Sequence, residues 1–81
     1  MNIDLFSEYV VKGICKEPDM VKVKSYDGED NETIVEILVT SDDLGRVIGK
    51  NGVNAKAVRT LIQAYAYLNN LGHVKVNIDS F

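Results

Sequence analysis

Two glycines separated by two residues constrain this chain more than any other feature, because they lie between two stretches of helical periodicity. Gly49 and Gly52 leave the backbone free to adopt positive φ angles and to approach a ligand closely. Lys50 and Asn51, which lie between them, add a cationic donor and an amide donor. Gly52 also opens a helical pattern, whose first N–H groups would point at whatever lies over the turn. The pattern therefore predicts a turn that clamps phosphate groups, and a phosphodiester backbone is its natural occupant.

The distribution of charge supports such a surface more than the net charge does. The formal net charge is −3 at pH 7, which argues against a protein that coats nucleic acid indiscriminately. From residue 27 to residue 43 there are seven acids and neither Lys nor Arg. From residue 44 to residue 78 there is no acid, and the cations of that stretch are Arg46, Lys50, Lys56, Arg59 and Lys75. Their concentration around the glycine turn favours a binding surface over ordinary solvated helix charges.

Hydrophobic periodicity predicts the order helix, strand, strand, helix, helix, strand, with the glycine turn between the last two helices. Ser41 has the form of a helix N-cap and would begin the short helix before the turn. In the second strand, Thr33, Val35, Ile37 and Val39 share one face. The expected bounds are about residues 2–16, 20–26, 32–40, 41–48, 52–69 and 73–79, in chain order.

The length and composition of the chain bound its class. With 81 residues there is room for one domain, which we expect to span residues 1–81. A single cysteine, Cys15, allows no internal disulfide and fits a reducing compartment. The chain has no charged-then-apolar leader and no apolar run that approaches about 18 residues. We therefore expect a cytoplasmic protein without a membrane partner.

Catalysis and metal binding lack the necessary residues. His73 is the single histidine and is expected at the start of a strand, while Cys15 has no evident base beside it. Clusters of Cys and His with the spacing of a metal site are missing from the sequence. We therefore expect neither an enzyme nor a site for a metal or another cofactor.

The element order and the turn together resemble a KH domain, whose hallmark is an Ile-Gly-x-x-Gly turn between two helices that grips about four nucleotides of single-stranded RNA. Only one helix and one strand follow the turn, which resembles the type II, bacterial arrangement. The chain is similar to the small stand-alone bacterial KH proteins, the KhpA family, over its whole length. The resemblance is carried by the run from Asp43 to Gly52, followed by Ala55, Lys56, Ala57 and Arg59. It implies an α+β fold in which three helices pack on one face of a three-stranded mixed sheet.

The resemblance also implies a role for each residue near the turn. The four residues Gly49–Gly52 would hold the sugar-phosphate backbone of the RNA. Val47 and Ile48, with Ile37 or Val39 of the second strand, would floor a narrow apolar groove for the bases, although Ile48 could equally belong to the core. Cations would line the rim of this groove. The residues expected to bind RNA are Arg46, Val47, Ile48, Gly49, Lys50, Asn51, Gly52, Lys56 and Arg59.

These considerations predict a non-enzymatic protein that binds single-stranded RNA, as an RNA chaperone or a post-transcriptional regulator. The alternative is a KH-fold scaffold that joins proteins and has little affinity for RNA. The basic character of the turn argues against the scaffold, since an acid at position 50 or 51 would repel phosphate. Tyr65 and Tyr67 depart from the small residues common in this helix of the family, so the outer surface of the helix could differ from the family's.

The long helix carries more apolar residues than packing on one sheet requires. We expect its sheet-facing side to comprise Ala57, Val58, Leu61, Ala64, Tyr65 and Leu68. Ala55, Ile62 and Ala66 then extend the apolar arc to about 200°. The excess predicts a homodimer in which Ile62 and Ala66 meet their counterparts and Tyr65 or Tyr67 lies at the edge. Alternatively, this surface lines the RNA groove, particularly near Ala55, or packs on the first helix. The resemblance further implies a heteromer with a larger KH protein that carries an additional nucleic-acid-binding domain.

Overall fold

The computed structural model describes residues 2–81 and has the predicted order of helices and strands. The elements are α1 (Ile3–Lys12), β1 (Lys22–Asp27), β2 (Thr33–Val39), α2 (Ser41–Ile48), α3 (Val53–Leu68) and β3 (Val74–Ser80). A single turn of 3₁₀ helix at Pro18–Met20 lies between α1 and β1, and Lys50–Gly52 forms a turn with a non-helical backbone between α2 and α3. The order α-β-β-α-α-β is therefore confirmed, and no helix within residues 2–81 is both long and apolar enough to cross a membrane.

The three strands form one mixed sheet in the order β1-β2-β3. β1 pairs with β2 in antiparallel register, with Lys24 opposite Glu36, whereas β3 runs parallel to β2, with Val76 opposite Val35. Side chains alternate between the two faces of a strand, so one face of β2 carries the fully buried Val35, Ile37 and Val39. The helices cover this face, as predicted, and the other face carries polar and charged residues such as Lys24 and Glu36.

The core excludes Ile37 and Val39 from the groove assigned to them. Both side chains have no exposed surface because they lie beneath the helices, and Val47 of α2 is equally buried. A fully buried side chain cannot touch a base without repacking of the core. The expectation that Val47, with Ile37 or Val39, lines a narrow groove for the bases is therefore wrong: all three side chains belong to the core between the sheet and the helices.

Helix α3 is rotated relative to the prediction. Its buried residues are Ala55, Val58, Ile62 and Ala66, while Leu61 and Leu68 are 48% and 77% exposed. Ala57 and Ala64 lie on the same exposed side as the two leucines. Ile62 and Ala66 therefore belong to the protein's own core, and the predicted dimer contact through them is wrong. Tyr65 is half-buried and stacks on Phe6 of α1, with the ring centroids 4.5 Å apart and the planes 16° from parallel.

Smaller corrections concern the ends of the helices. The side chain that caps α2 belongs to Thr40 and not to Ser41, since the Thr40 hydroxyl accepts a hydrogen bond from the Asp43 amide at 3.1 Å. α1 ends at Lys12 and not near residue 16. The amides of Ile14 and Cys15 both donate to the carbonyl of Val11, so the chain tightens and leaves the helix there.

Candidate nucleic-acid interface

The turn between α2 and α3 adopts the backbone conformation that its glycines predict. Gly49 has φ 76° and ψ 169°, and Gly52 has φ 76° and ψ 13°. Asn51 is also left-handed, with φ 57° and ψ 24°, a conformation that asparagine tolerates better than most residues. The Gly52 amide donates to the Gly49 carbonyl at 3.1 Å and closes the turn. Lys50 and Asn51 are consequently presented as exposed side chains at its tip.

The two glycines face different surroundings. A Cβ atom added to Gly49 would lie 2.7 Å from Cγ and 2.9 Å from the backbone nitrogen of Asn54, far closer than real contacts allow. A Cβ atom at Gly52 would meet nothing within 4 Å. Both its φ and ψ angles and the lack of space thus restrict position 49 to glycine, whereas at position 52 the left-handed φ angle alone favours glycine.

The N-terminus of α3 opens directly onto this turn. Gly52 occupies the N-cap position and provides no side-chain acceptor for the amides of the first helical turn. Such amides have no acceptor within the helix and carry its positive dipole end. The amides of Gly52 and Val53 donate to the carbonyls of Gly49 and Lys50 within the turn. The surface above the turn therefore offers an anion the helix dipole, the Lys50 ammonium group and the Asn51 side-chain amide.

The other predicted site residues lie around the turn in different ways. Arg46, Lys56 and Arg59 are exposed, and Ile48 is 37% exposed, so these four are available for contact. Arg46 Nε lies 3.7 Å from Asp43 Oδ1. Arg59 Nε donates to the carbonyl of Val76 at 3.4 Å, which draws Arg59 towards strand β3 at the edge of the sheet.

Contacts between α3 and β3 place the turn at one end of the sheet. Arg59 reaches Val76, and Gln63, one turn later in α3, reaches the Val74 carbonyl at 3.4 Å. The helix therefore runs antiparallel to β3. Because Val74 pairs with Thr33 at the start of β2, the acidic connection between β1 and β2 lies at the opposite end from the glycine turn.

Two residues near the turn were not predicted from the sequence. Asn54 Nδ2 donates to the carbonyl of Arg46 at 2.7 Å, across the turn. The buried Asp43 carboxylate accepts from the amides of Lys16 and Glu17, both at 3.0 Å, and so ties the segment after α1 to α2. The sequence gives only weak signals of these roles: Asn54 is an asparagine in the first turn of a helix, and Asp43 is an acid shortly after an N-cap. Both patterns are common, so neither predicts these hydrogen bonds.

The titratable groups beside α2 are explained by the same contacts. The hydrogen bond from the Lys16 amide lowers the pKa of Asp43 most, and the Glu17 amide, Arg46 and Thr40 lower it further, against the opposing effect of burial. Burial, together with the nearby Asp43 charge, raises the pKa of the Cys15 thiol, although Arg46 opposes this. Cys15 is therefore held as a thiol and not as a reactive thiolate. Among residues 2–81 no group of three or more His, Cys, Asp or Glu is placed to hold a metal ion.

Comparison with known proteins agrees with the geometry. The family model described as "KhpA/KhpB, KH domain" matches residues 5–78. The chain is 48% identical over 58 residues to the RNA-binding protein KhpA of Leifsonia xyli subsp. xyli, covering 72% of this chain and 75% of that one. It is 38% identical over 74 residues to the RNA-binding protein KhpA of Chlamydia trachomatis serovar D, covering 91% and 90% of the two chains.

A solved structure shares the fold at low sequence identity. The crystal structure of Era in complex with MgGDPNP and nucleotides 1506–1542 of 16S ribosomal RNA superimposes with a TM-score of 0.62 at 20% identity. The match covers all of this chain but 32% of the Era chain, so it supports the fold alone. The match of the family model over most of the chain, together with two relatives above 30% identity, shows that this chain belongs to the KhpA/KhpB family of KH domains.

Proposed function

We propose that this protein binds single-stranded RNA through the Gly49–Gly52 turn and acts as an RNA chaperone or post-transcriptional regulator in the bacterial cytoplasm. One observation carries the proposal: the two glycines hold positive φ angles at the uncapped N-terminus of α3, with Lys50 and Asn51 exposed between them. The positive end of the α3 dipole, one lysine and one side-chain amide then lie at a single turn, an arrangement that suits a phosphate group. The names of the relatives, RNA-binding protein KhpA, support the same ligand.

The residues around the turn would extend contact along the strand of RNA. Lys56 and Arg59 follow Gly52 on successive turns of α3, so they would meet phosphates next to the one held by the turn. Arg46 would contact the strand from the α2 side. Ile48, at 37% exposure, is the apolar side chain on which a base would lie. About four nucleotides would be engaged in this way.

A single clamp of this size gives low affinity, so we propose that two KH chains act together. The exposed side of α3 carries Ala57, Leu61, Ala64 and Leu68 in a stripe that reads small, large, small, large. When two copies meet antiparallel, Ala57 lies opposite Leu68 and Leu61 lies opposite Ala64 across a two-fold axis. Each large side chain then faces a small one, so a second copy of this chain fits the stripe as a binding partner. A larger KH protein with an additional nucleic-acid-binding domain would compete for the same stripe.

A charge-matched pair of variants tests the RNA-binding role. The double variant Lys50→Asp/Asn51→Asp places two anions against the phosphates without touching the core, so binding to single-stranded RNA oligonucleotides should be lost while the melting temperature stays nearly constant. The control Lys24→Asp/Asn70→Asp changes the net charge equally at exposed positions away from the turn. Fluorescence anisotropy should show that the control still binds RNA, because salt screens charges that lie far from the turn.

The outcome of this experiment separates RNA binding from the scaffold function. Retained binding by the Lys50→Asp/Asn51→Asp variant would refute the role of the turn. An equal loss of RNA affinity in both double variants would mean that binding depends on the net charge of the protein and not on this turn. If the unaltered protein fails to bind single-stranded RNA at all, the KH-fold scaffold becomes the better hypothesis.

A further inference from the structure

Asn54 lies in the first turn of α3, and its side chain contacts both sides of the glycine turn. Its Nδ2 atom donates a hydrogen bond to the carbonyl of Arg46, in the last turn of α2, at 2.7 Å. Its Cγ atom would lie 2.7 Å from a Cβ atom on Gly49, so the Gly49 backbone packs directly against the amide group. One side chain thus joins the end of α2, the first glycine and the start of α3.

The hydrogen bond to Arg46 replaces one that the helix loses. In a continuing α-helix the Arg46 carbonyl would accept from the amide four residues later. The chain leaves the helix at Gly49, where ψ is 169°, and the last backbone bond of α2 is the one from the Gly49 amide to Gly45 at 2.8 Å. The Arg46 carbonyl is therefore the first that helix geometry leaves open. Asn54 satisfies it from the opposite side of the turn.

We propose that Asn54 is a positioning residue that holds the Gly49–Gly52 turn in its phosphate-binding shape before RNA arrives. This inference rests on the proposed function. The turn contains three residues at positive φ, including Asn51, and such a backbone persists only where its surroundings restrain it. A turn that is already formed loses less conformational entropy on binding, so the restraint raises the affinity for RNA. Asn54 acts through the turn and not by contact with the phosphate.

The variant Asn54→Ala tests this role without weakening α3, because alanine has the highest helix propensity. The Kd for a single-stranded RNA oligonucleotide should rise about 3- to 10-fold, the effect of losing one hydrogen bond. The slope of log K against log salt should stay the same, because no phosphate contact is lost. In the RNA-free protein, hydrogen exchange of the Gly52 amide, which donates across the turn to Gly49, should accelerate by a similar factor.

A matched variant and the pattern of outcomes make the test decisive. Thr60→Ala removes another exposed polar side chain from the same helix, away from the turn, and should change none of these quantities. Weaker binding of Asn54→Ala with unchanged Gly52 exchange would mean that Asn54 touches the RNA itself, and would overturn the positioning role. Faster exchange with unchanged affinity would overturn it as well. If the wild-type protein binds no RNA, the proposed function fails, and the exchange measurement still decides whether Asn54 holds the turn.

Discussion

At the scale of single residues, the two glycines of the motif are needed for different physical reasons. Both have a φ of 76°, but Gly49, at ψ 169°, lies in a region that is essentially restricted to glycine. Gly52, at ψ 13°, lies in the left-handed helical region that asparagine also visits. Gly49 in addition packs against Asn54, whereas the space beside Gly52 is open. The spacing of the motif predicts both turn positions but not this difference.

This difference predicts an order of stabilities for three variants. Gly52→Ala should lower the free energy of unfolding by about 1–2 kcal/mol, the cost of a left-handed backbone for an L-residue. Gly52→Asn should cost less, because asparagine tolerates that conformation. Gly49→Ala should cost more than either, since its Cβ atom also meets Asn54. Urea denaturation measures all three, and equal losses at the two positions would contradict the structural distinction.

The roles of Asn54 and Asp43 near the site could not be predicted from local sequence patterns. The glycines and the cations could be predicted because their chemistry depends on neighbours in the chain. The Asp43 carboxylate instead binds amides 27 and 26 residues earlier in the sequence. The Asn54 bond forms because α2 ends and the chain reverses at Gly49. Interactions of this kind require the tertiary fold, and a single sequence does not specify them.

At the scale of elements, α3 carries two apolar stripes of equivalent spacing. One stripe comprises Ala55, Val58, Ile62 and Ala66 and is buried; the other comprises Ala57, Leu61, Ala64 and Leu68 and is exposed. Both follow the three- and four-residue spacing of a helix face, so periodicity predicts the helix but not its rotation. The orientation of the strands was more predictable, because side chains alternate along a strand and only two faces are possible. In β2, Val35, Ile37 and Val39 form the buried face. The rotation of α3 is fixed by its neighbours, including the reach of Arg59 and Gln63 to β3.

The exposed stripe predicts self-association that a single charge should disrupt. Leu61→Glu would place a carboxylate at the centre of the proposed interface, where burial is costly, and should give a folded monomer with weaker avidity for RNA. Leu5→Glu is the matched control, since Leu5 on α1 is 53% exposed against 48% for Leu61. Sedimentation velocity over a concentration series measures the association. A wild-type protein that stays monomeric, or a dimer that survives Leu61→Glu, would contradict the interface.

At the scale of the whole molecule, the glycine turn and the acidic β1–β2 connection occupy opposite ends. The antiparallel course of α3 and β3 places the glycine turn and its cations at one end of the sheet. The β1–β2 connection lies at the other end and carries Glu29, Asp30 and Glu32, directly after Asp27 at the end of β1. The acidic connection therefore lies far from the cations around the turn and would repel an RNA strand that extended to it. This arrangement favours a short, local contact over the wrapping of a long RNA around the molecule.

A short contact predicts a shallow dependence of RNA affinity on salt. If about two to four phosphates are neutralised, the slope of log K against log salt should be roughly −1.4 to −2.8, at ~0.7 per phosphate of a single strand. Lys50→Ala should reduce the magnitude of this slope by about 0.7, because it removes one phosphate contact. Lys24→Ala, on the outer face of the sheet, removes the same charge away from the turn and should leave the slope unchanged. Titrations at several salt concentrations measure these slopes. A flat response in the wild-type protein would favour the scaffold, and equal changes in both variants would place the RNA elsewhere than at the turn.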